Sequence, residues 1–387
     1  MSKCPYAKKC SGCQLQNLTY EKQLQMKQVK CIKLLGRFAH VEEIIGMDKP
    51  YHYRNKAQSA FFFKKGKVES GIYQSTTQKI LPVESCMLEN EEADRIIQTI
   101  KKLCVGFKIK PYDKETGKGV LRHVLVRNSE TSNEIMVVLV TSNEEFKSKQ
   151  SFANELARKH PNIKTIVHNV NPTKTTLMLG KKNEVLVGEG TICDELCGLK
   201  FRISPRSFYQ VNHTQTTKLY NIAKKYAELT GKETLIDAYC GTGTIGLTMA
   251  NMAKKVIGVE INGDAIKDAK ENAKLNEIQN IEFYNMDAGE FMNKLAIKKE
   301  KIDIVITDPP RAGCSINFLK SLVSLSPSRI IYISCNPETL ARDLIFLTRK
   351  NYYVQKIQPV DMFPHTNHVE SVVCLTRKWA KIVLKQT

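Results

Sequence analysis

A cysteine between a predicted strand and a predicted helix is the residue best placed to do chemistry in this sequence. Residues 330–333 form a short apolar, β-branched run that is typical of a buried parallel strand. Pro337 suits the first turn of a helix, and Leu340 and Leu344 follow at helical spacing. Cys335 therefore lies where open α/β sheets bind ligands, at a helix amino terminus that favours thiolate over thiol. A buried cysteine that only packs fits the same stretch.

Three amino-terminal cysteines, Cys4, Cys10 and Cys13, form a C-x5-C-x2-C pattern that indicates a metal or cluster site. Three thiols bind a metal poorly without a fourth ligand, and the best candidate is Cys86, after a predicted strand. Other cysteines compete for that position, namely Cys31, Cys104, Cys193 and Cys197. Zinc also accepts thiols, but wide, uneven spacing without a nearby histidine favours a 4Fe–4S cluster.

A glycine-rich loop at residues 241–246 has the pattern G-x-G-x-x-G between a predicted strand and a predicted helix. Glu260 ends the next strand, where an acid can accept both hydroxyls of an adenosine ribose. These two features fit NAD and S-adenosylmethionine equally. The sequence Asp308-Pro-Pro-Arg311 favours a methyltransferase, because an acid before two rigid prolines can hold a reactant at the sheet edge. Arg311, where amino-group methyltransferases carry an aromatic residue, disfavours methylation of an exocyclic amine.

Other cysteines and two histidines offer competing sites. Cys240 lies inside the glycine loop and is expected to pack under a cofactor, and Cys314 follows a turn with no base in view. Neither is therefore the favoured nucleophile. His365 and His368 precede Glu370 and could suggest a metal site, but such a set on a loop more often orders the loop by hydrogen bonding.

The composition indicates two or three domains and a polyanionic partner. The 387 residues include 59 Lys and Arg against 39 Asp and Glu, a formal net charge of +20 that is spread along the chain. Diffuse basicity favours a nucleic-acid partner, although ordinary solubility charge gives the same count. No apolar run could span a bilayer and no signal-peptide core is present, so we expect no membrane contact and a cytoplasmic location. In the cytoplasm thiols are kept reduced, so we do not expect the twelve cysteines to form disulfides.

The central part of the chain, residues 49–205, is predicted to be an α+β domain. Its predicted elements are strands over 51–63 and 71–73, hairpin strands at 121–127 and 134–141, a helix at 144–159 and a strand at 165–171. The sheet carries basic and aromatic residues, which suits RNA binding, but an ordinary half-exposed sheet has the same pattern.

The carboxyl-terminal part, residues 206–387, alternates strands with helices, as in a doubly wound parallel α/β sheet. A helix is predicted at 214–229, and strands are predicted at 234–239, 255–260, 281–286, 302–307, 329–334, 352–360 and 371–377. The last two strands have no helix between them, so we expect them to pair as a hairpin. Residues 1–48 form the remaining, amino-terminal iron–sulfur segment of this predicted organisation.

These motifs, in this order, resemble the RNA (uracil-5-)-methyltransferase family, and most of all its cluster-bearing ribosomal RNA branch. The resemblance covers nearly the whole chain. Besides the first three cysteines, it rests on residues 53–56 (Tyr-Arg-Asn-Lys), 208–212 (Phe-Tyr-Gln-Val-Asn), 237–243 (Asp-Ala-Tyr-Cys-Gly-Thr-Gly), 308–311 (Asp-Pro-Pro-Arg), 334–337 (Ser-Cys-Asn-Pro) and 363–370 (Phe-Pro-His-Thr-Asn-His-Val-Glu). Many relatives begin with an additional small β-barrel; here the cluster cysteines come first, so we expect target choice to depend on the central domain and surface charge.

The resemblance implies a role for each matching residue. It makes Cys335 the nucleophile and Glu370 the proton acceptor. It makes Cys4, Cys10, Cys13 and Cys86 the ligands of a 4Fe–4S cluster. It places S-adenosylmethionine against Gln210, Tyr239, Glu260 and Asp308, with Thr244 and Asp287 in adjacent positions where some relatives carry Asn. The fold implied is that of class I S-adenosylmethionine-dependent methyltransferases.

The implied activity is methylation of C5 of a uridine in 23S ribosomal RNA by a monomeric enzyme. A thiolate that adds at C6 makes C5 nucleophilic, and a base then removes the C5 proton so that the thiol can leave. The same chemistry on transfer RNA is the first alternative. A non-catalytic RNA-binding iron–sulfur protein is the second, but such a protein would need neither Cys335 nor Glu370.

Overall fold

The computed structural model describes residues 4–75, 77, 79–143, 145–172 and 177–377. Within these ranges the chain forms two seven-stranded sheets and a separate two-stranded hairpin. Of the helices in the described ranges, none has the length and apolar character needed to cross a membrane.

The amino-terminal segment contributes a helix that the sequence analysis did not predict, α1 (Tyr20–Leu35). Thr19 caps it by accepting a hydrogen bond from the backbone N–H of Lys22. The side chains of Cys31 and Leu35 are fully buried in the core of the second sheet. The segment after the helix continues along that sheet through the bridges Val41–Ile357 and Ile45–Val360.

The first sheet has the strand order β3-β2-β1-β4-β5-β6-β7. Its strands are β1 (Lys56–Lys64), β2 (Lys67–Tyr73), β3 (Ile80–Pro82), β4 (Leu121–Asn128), β5 (Ile135–Thr141), β6 (Ile163–Val170) and β7 (Lys182–Val187). Two helices, α2 (Glu91–Gly106) and α3 (Lys149–Lys159), pack on one face of it. The predicted hairpins β1–β2 and β4–β5 are confirmed as antiparallel pairs. The predicted helix 144–159 begins later, at Lys149, and residue 144 lies outside the described ranges.

The opposite face of β4–β6 packs towards the carboxyl-terminal part of the chain. Leu125, Met136 and Val138 belong to one apolar core with Phe201 and Leu219. Between the two sheets lies a short hairpin, formed by β8 (Ile192–Leu196) and β9 (Leu199–Ile203). This hairpin was not predicted.

The second sheet confirms the predicted doubly wound architecture. Its strands are β10 (Thr234–Ala238), β11 (Lys255–Glu260), β12 (Ile281–Asn285), β13 (Ile304–Thr307), β14 (Arg329–Ser334), β15 (Tyr352–Val360) and β16 (Glu370–Arg377), in the order β12-β11-β10-β13-β14-β16-β15. The first five are parallel, and β15 and β16 pair as the predicted hairpin, with β16 antiparallel to β14.

Six helices connect or flank these strands. They are α4 (His213–Ala227), α5 (Thr244–Met249), α6 (Gly263–Leu275), α7 (Ala288–Ile297), α8 (Ile316–Leu325) and α9 (Pro337–Thr348). The carboxyl ends of the parallel strands therefore meet along one edge of the sheet, which is where α/β folds bind their ligands.

Candidate active site

Four of the predicted site residues lie at the carboxyl ends of neighbouring strands. Tyr239 directly follows β10, Glu260 ends β11, Asp308 directly follows β13 and Cys335 directly follows β14. These strands are adjacent in the order β11-β10-β13-β14, so the four residues line one continuous edge. The sheet thus brings together what the sequence separates by almost a hundred residues.

Cys335 and Glu370 face each other across the antiparallel pair β14–β16. Ser334 and Ser371 are register partners in this pair. Cys335 is one residue beyond the first, and Glu370 is one residue before the second, so the two lie opposite each other. The Glu370 side chain is only 4% exposed, while Cys335 is half-buried. A thiol and a carboxyl group therefore converge at the same end of the sheet.

The helix after Cys335 begins as the sequence predicts. Pro337 occupies its first turn, and the Asn336 side chain accepts a hydrogen bond from the backbone N–H of Glu338 at 3.1 Å. The helix terminus favours a thiolate at Cys335, but larger effects of the tertiary structure oppose it. Burial, followed by the negative charges of Glu370 and Asp308, raises the pKa of Cys335 to about 11.

The carboxyl groups near this thiol also have raised pKa values. Burial raises the pKa of Asp308 to about 7. Burial and the charge of Asp308 raise the pKa of Glu370 well above its ordinary value, and the guanidinium of Arg311 opposes this shift. Arg311 likewise opposes the rise in the pKa of Cys335. Titratable groups that perturb one another in this way are typical of catalytic sites.

Arg311 contacts both the segment that follows Cys335 and the loop that precedes Glu370. Its backbone carbonyl accepts hydrogen bonds from the side chains of Asn336 and Thr339, both at 3.2 Å. Its guanidinium Nη2 lies 3.3 Å from His368 Nε2. His368 therefore takes part in hydrogen bonding, as expected. Among the described residues, no group of three or more His, Cys, Asp or Glu side chains is arranged to hold a single metal ion.

The glycine loop and Glu260 are joined by backbone hydrogen bonds. One carboxylate oxygen of Glu260 accepts from the N–H of Gly241 at 3.2 Å, and the other accepts from the N–H of Asn262 at 2.8 Å. Gly241 and Gly243 have positive φ values of 54° and 81°, a conformation that glycine adopts without strain. The carboxylate is thus fixed beside the loop where a bound nucleoside would lie.

The segment before α4 brings Gln210 to the glycine loop. The Thr242 hydroxyl donates to the carbonyl of Phe208 at 3.3 Å, and the Asn55 side chain donates to the carbonyl of Gln210 at 3.1 Å. Phe208 is 68% exposed. Sequence reasoning used this aromatic residue only as part of a motif; its exposure beside the site depends on the tertiary structure.

The two residues predicted beside the main cofactor positions lie at helix amino termini of the same edge. The Thr244 hydroxyl is 2.9 Å from the Tyr220 hydroxyl, at the start of α5. Asp287 caps α7 by accepting a hydrogen bond from the N–H of Glu290 at 3.0 Å.

The competing cysteines of this part of the chain are buried. Cys240 is 5% exposed and Cys314 is 4% exposed. The Cys314 sulfur packs against the Tyr332 hydroxyl at 3.3 Å. Both thiols are therefore less accessible from the edge of the sheet than the half-buried thiol of Cys335.

The four cysteines predicted as cluster ligands line one cavity of about 500 Å³, which lies beside the first sheet; they are Cys4, Cys10, Cys13 and Cys86. Burial, followed by the negative charges of Cys10 and Cys4, raises the pKa of Cys13 to about 12. Burial, followed by the negative charge of Glu89 and more weakly by that of Cys13, raises the pKa of Cys86 to about 12. The competing cysteines do not line this cavity.

These four cysteines share one cavity, but among the described residues they do not surround a single point as the ligands of one metal ion do. The ligands of a four-iron cluster lie at its corners, so their sulfur atoms are farther apart than those around one metal ion. The four thiols that line the cavity are half-buried, and their assignment as ligands of a 4Fe–4S cluster stays a prediction.

A family model and two similar relatives are all described as RNA methyltransferases. Residues 19–378 match the family model described as tRNA (uracil-5-)-methyltransferase. An uncharacterized RNA methyltransferase of Halalkalibacterium halodurans is 44% identical over 380 residues, which are 97% of this chain and 83% of that protein. Another, of Clostridium tetani, is 42% identical over 377 residues, 96% of this chain and 82% of that protein.

A solved structure also resembles the chain along most of its length. The tRNA (uracil-54, C5)-methyltransferase of Pyrococcus abyssi, in complex with S-adenosyl-L-homocysteine, superposes with a TM-score of 0.77 at 29% identity, covering 95% of this chain and 86% of that one. The fold and these comparisons point to the same family. The chain belongs to the S-adenosylmethionine-dependent RNA (uracil-5-)-methyltransferase family.

Proposed function

We propose that this enzyme methylates C5 of a specific uridine in 23S ribosomal RNA, through a covalent adduct between Cys335 and C6 of the base. The observation that carries the mechanism is the position of Cys335 opposite Glu370 across β14–β16, with Asp308 at the same edge. The choice of 23S over transfer RNA rests on the resemblance of the cysteine pattern to the ribosomal branch.

The reaction uses the thiol and the carboxyl group in sequence. The Cys335 sulfur forms a bond to C6, and the electron pair of the C5–C6 double bond moves into an enolate. Bound S-adenosylmethionine would supply the methyl group that C5 takes, and its sulfur would keep the electron pair of the broken C–S bond and leave as S-adenosylhomocysteine. Glu370 takes the proton from C5, the double bond reforms, and the C6–S bond breaks to release the Cys335 thiolate.

The raised pKa values assign a starting protonation state. At neutral pH the free Cys335 is a thiol, so it must lose its proton before or during attack. Glu370 must be ionised when it accepts the C5 proton, although its burial favours the neutral form. Arg311 is the cationic side chain that favours ionisation of both groups. We therefore assign Arg311 the role of supporting charge at this pair.

S-adenosylmethionine is proposed to lie along the same edge, against Gln210, Tyr239, Glu260 and Asp308. The fixed carboxylate of Glu260 suits the two hydroxyls of a ribose. Thr244 and Asp287 flank these positions.

The RNA is proposed to reach this edge across the central part of the chain, residues 49–205. Lys56 and Arg127 are register partners on β1 and β4. Burial, followed by the positive charges of Arg127 and Arg54, lowers the pKa of Lys56 to about 8. Arg127 is only 5% exposed, so Arg54 and Lys56 are the members of this cluster that are proposed to meet phosphate groups. The exposed ring of Phe208 supplies a surface for stacking an unpaired base.

The four cysteines of the shared cavity are proposed to hold a 4Fe–4S cluster, which ties the amino-terminal segment to the first sheet. Anaerobically purified protein should contain iron and sulfide, and Cys86→Ser should lose both. Cys193→Ser, which alters a half-buried cysteine outside the cavity, is the matched control and should keep them. Colourless wild-type protein that contains zinc would contradict this assignment.

The RNA target is tested by incubating the enzyme with labelled S-adenosylmethionine and separate unmodified 23S ribosomal and transfer RNA transcripts. We expect 5-methyluridine in the 23S transcript alone. Label in transfer RNA alone would support the alternative target, which the activity named for the Pyrococcus abyssi neighbour favours. Label in neither RNA would contradict the proposed function.

A further inference from the structure

The loop that leads to Glu370, residues 361–369, is held by the amino-terminal segment of the chain. We call it the base loop, because Glu370 is the first residue of β16 directly after it. Its side chains Asp361, His365 and Thr366 are at most 5% exposed. A buried loop with this many polar groups needs specific partners to satisfy them.

Helix α1 supplies a buried ion pair to the start of the base loop. Lys27 Nζ lies 2.6 Å from Asp361 Oδ1, with the two side chains 2% and 0% exposed. Tyr20 donates to the other carboxylate oxygen at 2.9 Å, and Lys27 also donates to the carbonyl of Phe363 at 3.1 Å. One lysine therefore fixes both the side chain that opens the loop and the backbone two residues later.

The same segment holds the middle of the base loop. Gln23 accepts a hydrogen bond from the N–H of His365 at 2.8 Å. The Leu15 N–H donates to the carbonyl of His365 at 2.9 Å, and the Gln14 side chain accepts from the N–H of Asn367 at 3.2 Å. Contacts from one neighbouring segment thus extend over most of the loop, from Asp361 to Asn367.

We propose that the Lys27–Asp361 ion pair is a positioning device that sets the Glu370 carboxylate for removal of the C5 proton. Buried ion pairs stabilise folds only weakly, since desolvation offsets their attraction, and they are better suited to selecting one conformation. This pair selects the conformation of a loop that ends on Glu370. The inference rests on the proposed function, because it assigns the pair to one step of that reaction.

The step affected is the last one. Formation of the Cys335–C6 bond uses a thiol that directly follows β14 and lies outside the base loop. The base loop contacts the surroundings of this thiol through the hydrogen bond between His368 and Arg311. Collapse of the adduct requires the Glu370 oxygen to reach the C5 proton, after which the C6–S bond breaks. A displaced base loop should therefore slow collapse more than formation, and the adduct should accumulate.

The test uses Lys27→Met and the double variant Lys27→Met/Asp361→Asn, which removes both charges while nearly keeping their volume. The double variant keeps the test valid if the single one fails to fold, because it leaves no unpaired buried charge. A 23S transcript with 5-fluorouridine measures adduct formation, since fluorine at C5 cannot leave as a proton. The ordinary uridine transcript measures both the amount of adduct present during turnover and the amount of methylated product.

We expect the rate of adduct formation on the fluorinated transcript to stay within about twofold of wild type. On the uridine transcript, the rate of product formation should fall about tenfold or more, and the amount of adduct present during turnover should rise. Lys30→Met is the matched control, because Lys30 lies on the same helix in an exposed pair with Glu338 at 3.0 Å. It should behave as wild type.

Two results would overturn the inference. The first is a parallel loss of adduct formation and product, which indicates general destabilisation. The second is wild-type behaviour of the double variant on both transcripts. A wild-type enzyme that forms neither adduct nor product would instead contradict the proposed function, so the two failures are distinguishable.

Discussion

Removing the Glu370 charge should make the Cys335 thiol easier to ionise. Glu370 is the main charged cause of the raised pKa of Cys335, about 11, after burial itself. A neighbouring charge typically shifts the pKa of an acid by about 1–3 units, and a like charge shifts it upwards. Glu370→Gln should therefore lower the pKa of Cys335 to about 10 or below while leaving its burial unchanged.

The expected gain in reactivity follows from this shift. At about pH 9.5, a fall in pKa from about 11 to about 10 raises the thiolate fraction from about 3% to about 24%. The less basic thiolate is also a weaker nucleophile, by about threefold for each pKa unit. Alkylation of Cys335 should therefore be about threefold faster in Glu370→Gln than in wild type at this pH.

The assay is iodoacetamide labelling of the free enzyme between about pH 8 and 11, quantified by mass spectrometry on the peptide that contains Cys335. Glu338→Gln is the matched control, because Glu338 is an exposed acid three residues away and is not among the main charges that shift the pKa of Cys335. Equal or slower labelling of Glu370→Gln would refute the electrostatic pairing of these two residues.

Three further outcomes follow from the structure. Asp308 gains its negative charge as the pH rises through about 7, so binding of S-adenosylmethionine, a cation at its sulfonium, should tighten over that range. In calorimetry, the affinity of Asp308→Asn for S-adenosylmethionine should depend less on pH than that of wild type. An unchanged pH dependence would contradict the role of Asp308 in binding. Lys56→Met should weaken RNA binding and reduce the slope of log K against log salt by about 0.7, whereas an unchanged slope would remove this lysine from the phosphate contacts. Leu344→Ala deletes a fully buried side chain of α9 and should lower the free energy of unfolding by about 2–5 kcal/mol in denaturant titrations; a loss below about 1 kcal/mol would contradict its tight packing.

The sheet edge could be predicted from the sequence because each of its residues follows a clear local signal. Apolar runs mark the strands before Tyr239, Asp308 and Cys335, and Pro337 marks the helix after the last of them. In parallel sheets, strand ends with this pattern meet at one edge whatever the loop lengths between them.

Helix α1 was not predicted because its inner face is partly polar. Its buried positions Gln23, Lys27, Cys31 and Leu35 recur every four residues, but the first two do not look like core residues. Their partners are on the base loop, more than three hundred residues later. The Thr19 cap was the available local signal.

The protonation state of Cys335 could not be read from the sequence for a similar reason. The helix terminus next to it is a local feature and favours a thiolate. The carboxyl group of Glu370 comes to lie opposite it only through the antiparallel pairing of β14 with β16. Burial and this tertiary neighbour outweigh the local effect. The assignments of the catalytic, cofactor and cluster residues remain predictions.

The most direct test of the central claim is mass spectrometry of the covalent complex formed by Glu370→Gln with unmodified 23S transcript and S-adenosylmethionine. The account predicts one cross-linked peptide, which contains Cys335 joined to a uridine that already carries the transferred methyl group. Cys335→Ala in the same assay should give neither cross-link nor product. A methylated product from Cys335→Ala, or a cross-link to Cys240 or Cys314, would contradict the assignment of Cys335 as the nucleophile.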